Sequence, residues 1–203
     1  MTLDLMLALA GFAFATSITP GPNNMMVLAS GVNYGFRRSI PHMLGIGIGF
    51  LVMLLGVGAG VGQAFALYPS LDRSLKIASI VYMLWLAFRI ATAKPIASDD
   101  PAAVGQPMTF LGAVAFQWVN PKAWAMALTA TATYTVASQF TLSLVVLAVV
   151  FSLVGVPCIA LWTMFGVALR RVLQDPVKLR LLNWSMAALL VASLYPIAAE
   201  LVR

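Results

Sequence analysis

The sequence predicts an all-α integral membrane protein. It has six transmembrane helices built as two inverted repeats of three, with the first and fourth helices broken. Three observations carry this reading: an apolar composition, long stretches without charge, and two Pro/Asn segments at matching places in the two halves. Of 203 residues, 62% are hydrophobic and 9% are charged, against roughly 25% charged in an ordinary soluble domain. The mean hydropathy of +0.96 agrees. A soluble globular enzyme, a disordered chain and a fibrous protein are excluded. No Lys, Arg, Asp or Glu occurs in the 32 residues between Asp4 and Arg37, the 33 between Arg38 and Asp72, or the 47 between Lys122 and Arg170. A bilayer core asks for about 20 apolar residues per helix.

Six spans fit these stretches, near residues 5–28, 40–64, 72–93, 109–134, 140–168 and 179–201. The first span has no positively charged leader ahead of it and is too long for a signal-peptide core, so it reads as a retained helix. The second is glycine-rich. Gly45/Gly49, Gly56/Gly60 and Gly58/Gly62 have the small-xxx-small spacing that lets helix backbones approach closely. The third carries Lys76 and Arg89 near its ends, where long side chains reach the interface. Residues 95–107, with Pro95, Asp99, Asp100, Pro101, Gly105 and Pro107, form the one clear linker. The chain is thus one transmembrane domain, 1–203, with repeat one at about 1–94 and repeat two at about 108–203. Pro157 is expected to kink the fifth span and Cys158 to pack beside it. His42, next to Pro41, is expected at a solvated membrane edge. The five tryptophans divide between interfacial anchors and packing.

The net charge of +6 does not point to nucleic acid. The basic residues lie in short segments between apolar runs, with no nucleic-acid motif. They set orientation instead. The first, third and fifth connections hold Arg37, Arg38, Arg89, Lys94, Arg170, Arg171, Lys178 and Arg180, against Arg73, Lys76 and Arg203 on the other side. The basic side belongs in the cytoplasm, which puts both termini outside.

The first span contains Thr19-Pro20-Gly21-Pro22-Asn23-Asn24, and the fourth Gln117-Trp118-Val119-Asn120-Pro121-Lys122. Pro20 and Pro121 are 101 residues apart. Three spans per repeat is an odd number, so the halves must be inverted, as in secondary transporters whose sites lie where broken helices meet. Pro20 and Pro22 lack amide donors and disrupt the preceding turn, and Gly21 tolerates unusual dihedrals. The freed carbonyls near Thr16 and Ser17 then need partners, as do the first N–H groups beyond Asn23. A helix N-terminus suits a carboxylate. Freed carbonyls and the Asn23 and Asn24 amides suit an ammonium group, so a zwitterion such as a free amino acid fits. The competing reading is that the Asn side chains only cap the broken helix.

Lys122 is the one basic residue deep in a span, and no Asp or Glu lies deep in any. Its partners are then carbonyls freed at Pro121, the Asn120 and Gln117 amides, or a substrate carboxylate; snorkelling is the alternative. Gln117 is placed opposite Asn23 across the pseudo-twofold. Thr16, Thr19, Thr129 and Thr131 are as well suited to their own helix backbone as to a ligand. The lone Cys158 precludes an internal disulfide, and a single histidine precludes a multi-His metal site. No nucleotide loop, zincin motif, nucleophile elbow or dinucleotide fingerprint is present. No catalytic residue, metal or cofactor is expected.

At these residues the chain resembles the LysE/RhtB superfamily of amino-acid exporters. Thr19 to Asn24, the Gly35-Phe36-Arg37-Arg38 loop, the Gly-rich second span and Phe116 to Lys122 all fit, and the likeness covers the whole chain. The wording is most similar to the cysteine/O-acetylserine exporter branch, though homoserine, threonine and leucine exporters share much of it. The resemblance implies export of small amino acids or their derivatives across the bacterial inner membrane, driven by the proton-motive force. It implies a multi-pass location, with Pro20, Gly21, Pro22, Asn23, Asn120, Pro121 and Lys122 lining the central path. The bilayer and an amino acid are the expected partners, and a homo-oligomer is compatible with the sequence. The competing function is a membrane-embedded enzyme or lipid-handling protein.

Overall fold

The computed structural model describes residues 2–92, 106–172 and 175–202. Most of the expected linker, together with Lys94 and Arg203, lies outside them. Among the described residues the chain is helical, with no strand. The helices are α1 (Leu3–Ile18), α2 (Pro22–Gly58), α3 (Val61–Leu67), α4 (Pro69–Ala91), α5 (Phe110–Gln117), α6 (Pro121–Tyr134), α7 (Phe140–Val172), α8 (Pro176–Ala192) and α9 (Tyr195–Val202). By length and composition, four helical stretches among the described residues are long and apolar enough to cross a bilayer, at residues 22–58, 70–91, 137–170 and 177–199.

α2 is not one rod. Gly35 has φ 77° and ψ 173°, a region open almost only to glycine. Ser30 Oγ and His42 Nδ1 lie 2.9 Å apart, although twelve residues of straight helix would separate them by roughly 18 Å. The chain therefore doubles back at Gly35. The expected loop at Gly35–Arg38 is a one-residue reversal, and the second span starts at Phe36.

Helix starts follow local chemistry. Thr2, Thr109, Asn120 and Asp175 each accept a backbone N–H at a helix start, while proline opens α2, α4, α6 and α8, where its missing N–H costs nothing. α5 and α6 are each too short to span. Their 8 and 14 residues together reach about 33 Å at 1.5 Å per residue, the thickness of a bilayer core. α7 continues through Pro157 as one helix. The sixth expected span is divided at Ser193–Leu194 into α8 and α9, a break not anticipated ahead of Pro196.

Polarity is distributed inside out. Leu3, Leu7, Val81, Phe88, Leu111, Leu153, Leu181 and Trp184 are exposed, whereas Asn24, Ser30, Asn33, His42, Gln117, Asn120 and Asn183 are buried. An apolar exterior of this kind suits a lipid surrounding, and the polar side chains named here are gathered inside. α2 and α7 make the most extensive packing; α5 lies on α2, α1 on α7, and α4 on α8.

Glycine decides the closest approaches. A Cβ on Gly45 would strike the Phe110 carbonyl, and one on Gly49 would lie 2.7 Å from Val114 Cα, so this pair is the expected smooth face, met by α5. Gly56/Gly60 and Gly58/Gly62 do not form such faces. Gly60 sits at φ 101° between helices, Gly56 meets Trp118, and Gly58 and Gly62 meet the side chains of Leu144 and Leu128. The tightest crossing was not anticipated. Gly31 of α2 faces the Thr163 carbonyl of α7, and Gly166 of α7 faces the Leu28 carbonyl of α2.

Candidate functional site

α1 ends at Ile18 and α2 begins at Pro22; α5 ends at Gln117 and α6 begins at Pro121. The two breaks expected from Thr19 to Asn24 and from Gln117 to Lys122 are both present, and they meet. Asn23 Nδ2 donates to Gln117 Oε1 at 2.8 Å, and Gln117 Nε2 returns a bond to Asn23 Oδ1 at 3.1 Å. This reciprocal amide pair joins residues 94 positions apart. Gln117 is fully buried and also donates to the Ala113 carbonyl at 3.0 Å.

Lys122 crosses the same gap. Its Nζ donates to the Thr19 carbonyl at 2.7 Å, to Thr19 Oγ1 at 3.0 Å and, weakly, to the Pro20 carbonyl at 3.4 Å. The ammonium thus sits on carbonyls freed at the opposite break, not on those at its own Pro121 or on the Asn120 and Gln117 amides, which were among the expected partners. The C-terminal end of a helix carries partial negative charge, which favours a cation there.

Gly21 has φ −172° and ψ 177°, ordinary extended backbone, so conformational freedom is not its role. Space is. An added Cβ would lie 2.7 Å from Lys122 Cδ and 3.0 Å from Nζ. Glycine lets the lysine stem lie across the break.

The remaining carbonyls of the first break are all satisfied from within. Asn24 Nδ2 donates to Ser17 O at 2.9 Å and Thr19 O at 2.7 Å. Thr19 Oγ1 donates to Thr16 O at 3.2 Å, and Trp162 Nε1 donates to Ile18 O at 3.1 Å. Asn24 is therefore a cap, as the competing reading had it. Asn120 caps α6, its Oδ1 accepting from the Lys122 amide at 3.1 Å. Trp124 Nε1 closes the second break by donating to Trp118 O at 2.9 Å. Thr16 and Thr131 bond their own helix, at Phe12 O and Ala127 O. The roles of Trp162 and Trp124 were not found from sequence, because nothing in a tryptophan's neighbourhood along the chain distinguishes a cap from an anchor.

Two cavities flank this knot and share Gly21 and Lys122 as wall. One, of about 180 Å³, is lined by Ser17, Asn23, Asn24, Asn120, Ser152 and apolar residues of α2 and α7. The other, of about 540 Å³, includes Pro20, Pro22, Pro121, Trp124, Ser79 and Asp72. Asp72, at the start of α4, lines this second cavity as a partly exposed carboxylate paired with Lys76 at 2.8 Å. All ten residues expected at the site lie at the two breaks. The arrangement offers a half-buried cation, one helix N-terminus without a side-chain cap, that of α2, and amides in a low-dielectric hollow, which suits a small polar or zwitterionic solute.

His42 departs from expectation. It is buried, at 1% exposure, and belongs to a third polar cluster with Ser30 and Asn33. Cys158 is buried in packing, as expected. Among the described residues no three His, Cys, Asp or Glu side chains gather as a metal site.

The chain matches the model of a family described as LysE type translocator over residues 14–195. It is 33% identical over 193 residues to proteins named cysteine/O-acetylserine efflux protein from Escherichia coli K12, Shigella sonnei and Shigella flexneri, covering 94% of this chain and 96% of each relative. No solved structure matches.

Proposed function

From the premise that this chain belongs to the LysE-type translocator family, a transporter and not an enzyme, we propose that it exports small amino acids or their derivatives across the bacterial inner membrane. Cysteine, O-acetylserine, and homoserine- or threonine-like solutes are the candidate cargo, and the proton-motive force is the driving energy. The names of the relatives support the first two solutes. Both termini face outward and the Gly35 reversal faces the cytoplasm.

In this reading the chain crosses six times, as two inverted halves. α1 with residues 22–34 forms the first crossing and α5 with α6 the fourth. The packing supports it. α1 lies on α7 as α5 lies on α2, while α2–α7 and α4–α8 are the self-matched pairs of a twofold. The single observation that carries the proposal is the double tie between the breaks, Asn23–Gln117 and Lys122–Thr19. Broken helices meeting at mid-depth leave the α2 N-terminus, which no side chain caps, for a solute to use, and rocking of the halves would expose it to one side at a time.

Attraction of the cargo carboxylate, or electrostatic gating, falls to Lys122, and the other expected site residues, Thr19, Pro20, Gly21, Pro22, Asn23, Asn24, Gln117, Asn120 and Pro121, shape the hollow. The test is a resistance screen in cells lacking their own exporters. Expression should raise tolerance to toxic concentrations of one or a few amino acids or analogues and raise their external level, and an uncoupler should abolish both. No protection against any amino acid would sink the proposal.

A further inference from the structure

We propose a second subsite, for the carboxylate of the cargo, in the cavity that His42 lines near the Gly35 reversal. The cavity, of about 120 Å³, is bounded by Ser30, Asn33 and Tyr34 of α2, His42 of its returning arm, Arg89 of α4 and Asn183 of α8. This inference rests on the amino-acid export reading for the identity of the ligand.

His42 is the built feature. Its Nδ1 is 2.9 Å from Ser30 Oγ, and its Nε2 is buried with no hydrogen-bond partner. Asn33 spends its amide on Ala29 O at 2.8 Å. Two arrangements of protons are available to the Ser30–His42 pair. If Nδ1–H donates, both the serine proton and the Nε2 lone pair go unused. If the serine hydroxyl donates to Nδ1, only one group is left over, an N–H on Nε2. Buried polar groups that lack partners are costly, so the second arrangement is preferred, and a residue of the cavity lining carries a buried imidazole N–H in need of an acceptor.

The charges around it select an anion. Arg89 lines the cavity, its guanidinium placed 5.3 Å over the Trp85 ring. Arg38 stacks 6.0 Å over Tyr34 at the same end, and Arg170 approaches Gly35. Among the described residues no acidic side chain lines the cavity, and none pairs with these arginines. A carboxylate there would take one N–H from His42 and the guanidinium of Arg89, a charge-assisted combination. A bare ammonium would face the Arg89 guanidinium with no carboxylate in the described lining to balance it. Ser30 lies seven residues beyond Asn23, roughly 10 Å along α2, so the subsite is a staging point below the helix breaks.

His42 is the chain's one histidine, which makes its ¹⁵N imidazole resonances a site-specific reporter without assignment. The full chain in lipid nanodiscs is titrated with O-acetylserine, with acetate as the carboxylate alone, and with ethanolamine as the amine alone. The Nε2–H signal should shift saturably with the first two and not with the third. Arg89→Gln should raise the half-saturation concentration about tenfold or more, while the unliganded His42 signal stays in place as proof of folding. A silent His42 under O-acetylserine and acetate, an equal response to ethanolamine, or unchanged affinity in Arg89→Gln would each overturn the subsite. If acetate binds as described while cells show no export, the transport reading falls and the anion site stands; export with a silent His42 gives the reverse.

Discussion

Replacing Lys122 by methionine separates the role of its charge from the role of its stem. Three hydrogen bonds donated by Nζ are lost, two of them at 2.7 and 3.0 Å and one at a weak 3.4 Å. Hydrogen bonds to charged groups contribute about 1.5–3 kcal/mol each. The loss is partly offset, since Thr19 O keeps its 2.7 Å bond from Asn24 and a half-buried ammonium no longer has to be held away from water. Methionine also preserves the packing of the stem over Gly21. A net destabilisation of about 1–2 kcal/mol is expected, small against a folding stability of roughly 5–15 kcal/mol. Membrane yield and melting in detergent should therefore stay near wild type, while export drops by about tenfold or more, because the wall between the two cavities has lost its only cation among their described lining apart from Lys76. Gly21→Ala is the companion variant. Its Cβ crowds the Lys122 stem at 2.7 Å and the ammonium at 3.0 Å while leaving the charge present, and it should lower export with a stability cost of about 1 kcal/mol, the low end for overpacking because the flexible stem can shift. Export at the wild-type rate by a folded Lys122→Met protein would refute the argument.

Other outcomes follow from the same geometry. Asn23→Ala strands the buried Gln117 side-chain carbonyl and should cost about 1–3 kcal/mol; Gln117→Ala strands only the partly exposed Asn23 amide and should cost less, and the double variant should cost less than the sum; thermal unfolding in detergent measures all three. Gly166→Ala presses a methyl on the Leu28 carbonyl and the Val32 amide of α2, neither of which can yield, so folded yield should fall by an amount matching about 1–3 kcal/mol or more. Gly35→Ala forces a side chain into φ 77°, at about 1–3 kcal/mol, and should loosen the hairpin that holds Ser30 against His42, read as faster proteolysis between residues 22 and 58. Asp72→Asn breaks a partly exposed i,i+4 pair and should change stability by less than about 1 kcal/mol, so any larger effect on export would report on the cavity that Asp72 lines.

Much of the site was legible in sequence because its physics is local. Proline removes a donor and clashes with the preceding turn wherever it stands in a helix, so the breaks before Pro22 and Pro121 could be placed within a residue or two. A lysine inside a long charge-free run must find partners, so Lys122 stood out. Gln117 opposite Asn23 followed from pairing the two halves. The glycines divided differently. Gly45 and Gly49 were readable from spacing, but Gly31 and Gly166 meet across 135 positions, as the residue numbers show, and no spacing within one helix reveals that.

What composition and charge spacing determined unaided was the solvent: a chain with so few charges and such long apolar runs has to fold in lipid, and its prolines and asparagines have to interrupt it. Which freed carbonyl each donor reaches was decided by tertiary packing alone. Lys122 bonds Thr19 and not its own neighbours, Trp162 caps α1, and His42 is drawn from an expected wet edge into the interior. Hydrogen bonds act over about 3 Å and partners so close in space can lie anywhere in sequence, so only the assembled helices settle who meets whom.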